Sequence, residues 1–513
     1  MSIRLKERHR RGSDVGRPLV TEDTYVVRIA RRIDYKRFFF IFLGIALFLL
    51  IYFSPVWPEA VDPKGEHFEL TREGKAAIGL FLLAATWWVF EVIPIGVTSI
   101  TIGVIQALFL IRPAKEAFKD FMDPSVWFII GSVVIGMAFT RTGLTKRMAY
   151  KMLQLVGERT SMIYLGSFVM TAMLTLIMAH TAVAAAIFPL LMAIYALYSD
   201  EEKPTRFGKG LFIGMAFVAG AGSIITLLGA ARGAVAIGFF RDITGREVTF
   251  FELSWYMFPL GWLMVGLLWL FFMTFFKPEQ KTIPGLRERV KALNAQLGRV
   301  TPIEILTVII VLSAITVMSL RSFIPAFATF DKSAIILVST ILFFIFKILT
   351  IEDLERIPWN IVLLFGGAMS IGFCLWQTGA ASWIAINWLG LFHNASWLAF
   401  VMGIAFFVLI MTNLIMNVAA IAISLPVALV IAPYLGVAPE VVMFASLATA
   451  GMPFLLLVGA APNAIAYESK QFTTGEFFKA GIPASILLMV VLGLFVWFIW
   501  PLMGMPVTIP AGG

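Results

Sequence analysis

Long apolar runs separated by short polar punctuation dominate the chain, and the runs are of two kinds. The first kind is continuous. FFFIFLGIALFLLIYF (38–53) and SILLMVVLGLFVWFIW (485–500) approach the roughly 20 residues that cross a bilayer as helix. Runs of this kind predict spans near 38–54, 76–93, 95–111, 161–178, 181–198, 207–223 and 254–276. In the second half they predict spans near 301–320, 333–350, 397–415, 418–434, 439–456 and 482–501. A β-barrel would instead show short segments of alternating polarity.

The second kind is short and interrupted by glycine. It comprises WFIIGSVVIGMAFTRTG (127–143), LLGAARGAVAIGFF (227–240), LLFGGAMSIGFCLWQTG (363–379) and LLLVGAAPNAIAY (455–467). Broken backbone at membrane depth is tolerated only against protein or a wet cavity, so these segments point to a transport site. They also pair. Gly131 and Thr142-Gly143 match Gly367 and Thr378-Gly379 at one offset. AHTAVAAAIFP (179–189) matches MNVAAIAISLP (416–426), and GAARGAVA (229–236) matches GAAPNAIA (459–466). Each half therefore runs through a glycine-containing hairpin, a polar pair opening an alanine-rich helix that ends at proline, and a GAA break. The fold class is an all-α polytopic membrane protein built of two repeats, with inverted repeats favoured.

Composition agrees. Of 513 residues, 60% are hydrophobic and 14% charged, and mean hydropathy is +0.90. A soluble chain carries about a quarter charged residues, so this one cannot cover itself in water. The net charge of +9 is concentrated in the first 37 residues, among them Arg4, Lys6, Arg8, Arg28 and Arg31, and in short loops. A basic flank before the first span places the N-terminus in the cytoplasm, with anionic lipid as a secondary contact. No small-residue cleavage site follows the first run, so it reads as a retained helix of a multi-pass plasma-membrane protein. The expected divisions are a basic segment (1–37), a first helix and repeat (38–276), a cytoplasmic linker (277–300) and a second repeat (301–513). In that scheme hairpins lie near 125–143 and 360–379, and broken helices near 179, 229, 416 and 459. One cysteine, Cys374, excludes an internal disulfide and a cysteine metal cluster. No Gly-Lys-Ser/Thr phosphate loop is present, which argues against ATP-driven transport. An intramembrane enzyme is disfavoured, because His180 has no acidic or nucleophilic partner in sequence beyond Thr181. Nucleic-acid binding is not expected, nor any resident cofactor.

IPWNIVLLFGGAMSIGFCLWQTGAASWIA (357–385) closely resembles the second hairpin of the divalent anion/sodium symporter family. WWVFEVIPIGVTSI (87–100) and GAAPNAIAYESKQFTTGEFFKAGIP (459–483) resemble its early helix pair and final re-entrant region. The resemblance spans roughly residues 75–500. It implies transport of di- or tricarboxylates or sulfate, sodium as coupling ion, a homodimer, and a scaffold domain beside a moving transport domain that works as an elevator. It also implies a Ser-Asn-Thr triplet in each half holding substrate carboxylates. This sequence departs there: the first position reads Ala179-His180-Thr181 and the second Met416-Asn417-Val418. Later, the usual Pro-Asn persists as Pro462-Asn463 but has become Arg232-Gly233 in the first half.

The resemblance makes His180, Thr181, Arg232, Asn417, Val418 and Asn463 the substrate-binding candidates. Ser132, Gly229, Gly367, Gly459 and again Asn417 are the ion-coupling candidates. An anion at the bilayer midplane needs hydrogen bonds and compensating charge, which helix N-termini and sodium would supply. The first half has lost oxygen and amide ligands and gained two nitrogen bases, so fixed or proton-derived positive charge is expected to replace one sodium. Blander readings stand beside these. His180 is then a core histidine bonded to a carbonyl, Arg232 snorkels to an interface, Thr181 and Asn417 cap helices, and Ser132 is packing. Rival functions are a fold-retaining anion sensor or channel-like relative, and a cation/proton antiporter.

Overall fold

The computed structural model describes residues 35–61, 67–199, 204–392 and 396–509. The basic segment before residue 35 and His393 lie outside the described residues. Helix dominates because a chain without water to bond its backbone must satisfy every peptide internally. The first half holds α1 (Tyr35–Phe53), α2 (Arg72–Val89), α3 (Ile95–Leu108), α4 (Ala114–Lys119), α5 (Pro124–Thr142) and α6 (Leu144–Val156). It continues with α7 (Thr160–Thr175), α8 (His180–Tyr198), α9 (Arg206–Gly222), α10 (Ala231–Thr244) and α11 (Phe250–Phe275). A linker helix, α12 (Leu286–Gln296), follows within the expected polar connection. Then come α13 (Pro302–Leu320), α14 (Pro325–Ala328), α15 (Lys332–Ile345), α16 (Ile351–Glu355), α17 (Trp359–Gln377) and α18 (Ala380–Phe392). The chain closes with α19 (Trp397–Leu414), α20 (Asn417–Tyr434), α21 (Pro439–Ala450), α22 (Ala461–Tyr467), α23 (Thr474–Leu494) and α24 (Trp500–Leu502). Among the described residues, nine helical stretches are long and apolar enough to cross a membrane. The chain is a multi-pass membrane protein.

The two halves interlock. Helix α5 packs on α15 of the second half and α17 on α3 of the first. In the same crossed sense α10 packs on α20 and α22 on α8, while α7 with α9 repeats as α19 with α21. Buried ends are tied by charge and backbone. Arg147 of α6 bonds the carbonyls of Leu297, Gly298 and Arg299 at the end of the linker helix, and Glu304 of α13 at 3.0 Å.

Two expectations change. The segments 127–143 and 363–379 do not break at their internal glycines: α5 and α17 run unbroken, and the chain turns only at Gly143 and Gly379. Both have φ near +80° (82° and 74°), a left-handed conformation that glycine adopts without a Cβ penalty. Internal glycines serve close packing instead. A Cβ on Gly131 would meet Ile336 of α15 at 2.7 Å. Nor do the alanine-rich helices end at proline. Pro189 lies inside α8 and Pro426 inside α20. Proline removes one donor, and no water competes for the neighbouring backbone bonds in this setting, so the helix continues past it.

Candidate functional site: a cavity at four helix starts

Four helices begin in the interior, after the chain leaves helix at 176–179, 223–230, 415–416 and 451–460. They are α8, α10, α20 and the seven-residue α22. Their N-cap residues are Ala179, Ala230, Met416 and Ala460, and none makes a side-chain cap bond. Many helices that begin elsewhere are capped, with Thr71, Thr205, Thr249, Thr301, Asp331, Ser396 and Thr473 each accepting a bond from the following turn, although α3, α7, α17 and α21 also start without one. Each cap removes one of the free donors of a helix start. The interior starts lack such a side-chain acceptor, although α8 places its first N–H on the Gly229 carbonyl.

All four starts line one cavity of about 630 Å³. Six predicted residues reach it: Ser132, His180, Thr181, Asn417, Val418 and Gly459. Thr181 and Asn417 stand inside the first turn of α8 and α20, two and one positions past the N-cap. Neither side chain bonds another described residue, so both present free polar atoms to the cavity. The His180 backbone N–H and its ring Nδ1 both lie on the Gly229 carbonyl, at 2.9 and 3.2 Å. A carbonyl only accepts, so Nδ1 carries the proton and Nε2 is the nitrogen left for the cavity. Ser132 donates to the Leu228 carbonyl at 3.0 Å, tying α5 to the same break.

Four predicted residues sit outside the lining. Gly229 lies behind His180, its carbonyl already accepting two bonds. Gly367 packs on Ser99 where α17 crosses α3. Asn463 is 2% exposed and donates to the carbonyls of Pro453 and Leu456 at 2.9 and 3.1 Å, clamping the loop before α22. Arg232 is 2% exposed, so it does not snorkel. Its Nη2 donates to Ser223 Oγ at 2.8 Å, and its Nη1 has no partner. A Cβ on Gly451 would meet that same Nη2 at 2.7 Å, and one on Gly220 would meet the Gly451 carbonyl at 2.7 Å. The guanidinium thus lies where α9 and α21 both end, and helix C-termini carry partial negative charge.

Sequence reasoning missed two groups. Asn413 accepts from the backbone N–H of Leu455 and Leu456 at 2.7 and 3.3 Å, bracing the second-half break from α19. Arg141, Asp353 and Arg356 line the same cavity as His180. The signal for Asn413 was an amide inside an apolar run; polar loop residues such as Arg356 carry none.

The family described as sodium:sulfate symporter transmembrane region matches residues 36–505. The chain belongs to that family. A sodium-dependent dicarboxylate transporter, SdcS, of Staphylococcus saprophyticus is 25% identical over 86% of this chain and 89% of its own length. The SdcS protein of Staphylococcus aureus strain bovine RF122 is 25% identical over 90% of each. Among solved structures, MtrF of Neisseria gonorrhoeae, described with a class of antimetabolite efflux pumps, superposes with a TM-score of 0.56. That match covers 93% of this chain and 96% of MtrF at 13% identity, and carries the fold alone.

Proposed function

We propose that this family member is a secondary transporter of small anions, with dicarboxylates first and tricarboxylates or sulfate next. The observation that carries the reading is the convergence of uncapped helix starts from both halves on one cavity that also presents His180, Thr181 and Asn417. Each N-terminus offers free N–H groups and up to about half a unit of positive charge. The names of the Staphylococcus relatives support the substrate class. The crossed packing of the halves supports inverted repeats, with an elevator-like motion in a homodimer as the working scheme.

The coupling ion is the finer point. We read Arg232 as a fixed cation standing in for one bound sodium in the first half, with transport proton-coupled or by exchange. Two observations support this. The Gly229 carbonyl, a candidate sodium ligand, is taken by His180, and a permanent guanidinium sits against the adjacent break. The orientation follows from charge. The start of α1, the α2–α3 turn and the start of α17 share one face, through Arg37 Nε on Val92 O at 2.6 Å and Gly96 N on Asn360 Oδ1 at 2.8 Å. Lys36 and Arg37, the basic residues in the first turn of α1, lie on that face, so it is read as cytoplasmic. Arg356 precedes α17 there, and the cavity opens toward it.

The test is uptake into proteoliposomes of labelled succinate, citrate and sulfate, crossed with sodium and pH gradients. Dicarboxylate uptake that persists without sodium is expected. Uptake proportional to sodium and absent without it overturns the coupling scheme. No flux of any anion overturns the transporter reading in favour of a sensor.

A further inference from the structure

The cavity has a floor and a mouth of different chemistry. At the floor, His180 and Asn417 are buried, 8% and 6% exposed. At the mouth, Arg141 ends α5 and Arg356 follows α16, and both are exposed. Asp353 is the carboxylate between them, and it is 7% exposed. Its Oδ2 accepts from the Thr350 backbone N–H at 3.0 Å and the Thr350 hydroxyl at 3.2 Å, so it is spent on capping α16. Arg141 Nε reaches that same oxygen only at 3.9 Å. Arg356 makes no close ion pair among the described residues; Glu352, one turn back on α16, feels its charge but does not line the cavity. The mouth therefore carries two guanidinium groups against one committed carboxylate. No other acidic side chain lines the cavity.

We infer that Arg356, with Arg141 beside it, is a specificity-determining collar that draws multiply charged anions into the cavity and disfavours singly charged ones. The inference rests on the anion reading above and names a step that reading does not contain. Arginine suits the task because it stays cationic at every working pH and meets carboxylate oxygens in a planar fork. A cleft with low-dielectric walls focuses such a field and raises the local concentration of the opposite charge. The discrimination has a definite form. Coulomb energy scales with the charge product, so removing one positive charge weakens a dianion twice as much as a monoanion in free energy. A threefold loss for the monoanion becomes about a ninefold loss for the dianion.

The experiment measures affinity for succinate and for butyrate on the full chain in nanodiscs, with uptake KM in proteoliposomes beside it. Arg356→Gln is expected to raise the succinate Kd and KM roughly three- to tenfold at low salt, and the butyrate values by the square root of that factor. Maximal rate stays within about twofold, and the effect shrinks at about 1 M salt, where the screening length is near 3 Å. Arg356→Lys keeps near wild-type affinity, and Asp353→Asn tightens succinate. Equal loss for both ligands, insensitivity to salt, or a fall in maximal rate at constant KM overturns the collar. Salt-sensitive succinate binding without uptake leaves the collar standing and overturns the transport reading alone. A wild type that binds neither anion overturns both.

Discussion

The two halves break their helices at matching places and hold the breaks by different chemistry. In the second half the clamps are neutral amides and a hydroxyl. Asn413 ties the loop at Leu455 and Leu456, Asn463 ties it at Pro453 and Leu456, and Thr412 donates to the Ala450 carbonyl at 3.0 Å. In the first half the same work falls to an imidazole on Gly229 and a guanidinium on Ser223. The close approaches are otherwise alike: a Cβ on Gly229 would meet the Thr175 carbonyl at 2.7 Å, and one on Gly459 the Thr412 carbonyl at 2.8 Å. Backbone geometry is therefore shared, while charge is confined to one side. An amide clamp leaves room for a mobile cation to complete the site, whereas a guanidinium brings its cation covalently.

Arg232 is where that contrast breaks most easily. One unit charge removed near an anion costs about 3 kcal/mol at an effective dielectric near 20, roughly a hundredfold in affinity. Arg232→Ala is expected to lose sodium-independent uptake by about that factor, and sodium-stimulated uptake in Arg232→Asn would sharpen the comparison. Unchanged sodium-free uptake in both variants would make the guanidinium a packing residue. Asn463→Ala comes next. It strands the Pro453 and Leu456 carbonyls without their donor, so a stability loss of about 2–3 kcal/mol is expected. The readout is thermal unfolding in detergent, with Asn413→Ala as the matching variant.

The order of spans, the four breaks and their pairing were legible in the sequence, because apolar length, glycine and repeated motifs are local signals. His180 and Asn417 were legible for the same reason: a polar side chain in an apolar run has no cheap alternative. The direction of a side chain is not local. Arg232 and Asn463 stand in the predicted breaks but turn toward neighbouring helix ends and loop carbonyls rather than into the cavity. Arg356 sits in a polar stretch that reads as ordinary connection, and only the approach of Asp353 on α16 to Arg141 at the end of α5 shows that it stands at the mouth. Gly367 stood among the ion-coupling candidates, whereas it lies outside the cavity lining and lets α17 meet Ser99 closely. The prolines misled because Pro189 and Pro426 break helices in water, where freed carbonyls find solvent and alternatives abound.

His180→Asn probes the contrast more gently. An asparagine Nδ2 can donate to the Gly229 carbonyl as Nδ1 does, so stability is expected to change by less than about 1 kcal/mol. The variant converts the first-half clamp to the second-half type. Succinate KM in proteoliposomes is expected to rise severalfold, because asparagine has no counterpart to the Nε2 that the imidazole leaves to the cavity. A succinate KM identical to wild type would remove the imidazole from the substrate site.

The smallest effect lies at the connections outside the membrane, where the halves also differ. The α8–α9 connection is held by a carboxylate: Glu279 accepts from the backbone N–H of Arg206 and Phe207 at 2.6 and 3.2 Å and from the Tyr198 hydroxyl at 2.9 Å. The α20–α21 connection is held by backbone alone, with Ala438 N on Val507 O at 3.1 Å and Ile509 N on Gly436 O at 2.9 Å. Partial burial pushes the Glu279 carboxyl up, and the Arg206 N–H, the Tyr198 hydroxyl and the Phe207 N–H outweigh it, holding the group below its ordinary value. A carboxyl depressed in the folded state stabilises it fully above the unfolded value and loses that contribution as pH falls through the folded one. Solvent screening keeps the amount well under about 1 kcal/mol. Hydrogen exchange between pH 6 and about pH 3, corrected for intrinsic rates, should therefore show the Arg206 and Phe207 amides losing protection while Ala438 and Ile509 keep theirs. Equal loss at both connections would mean that the acid response belongs to the whole bundle, and that the charged character of the first half ends at its interior break.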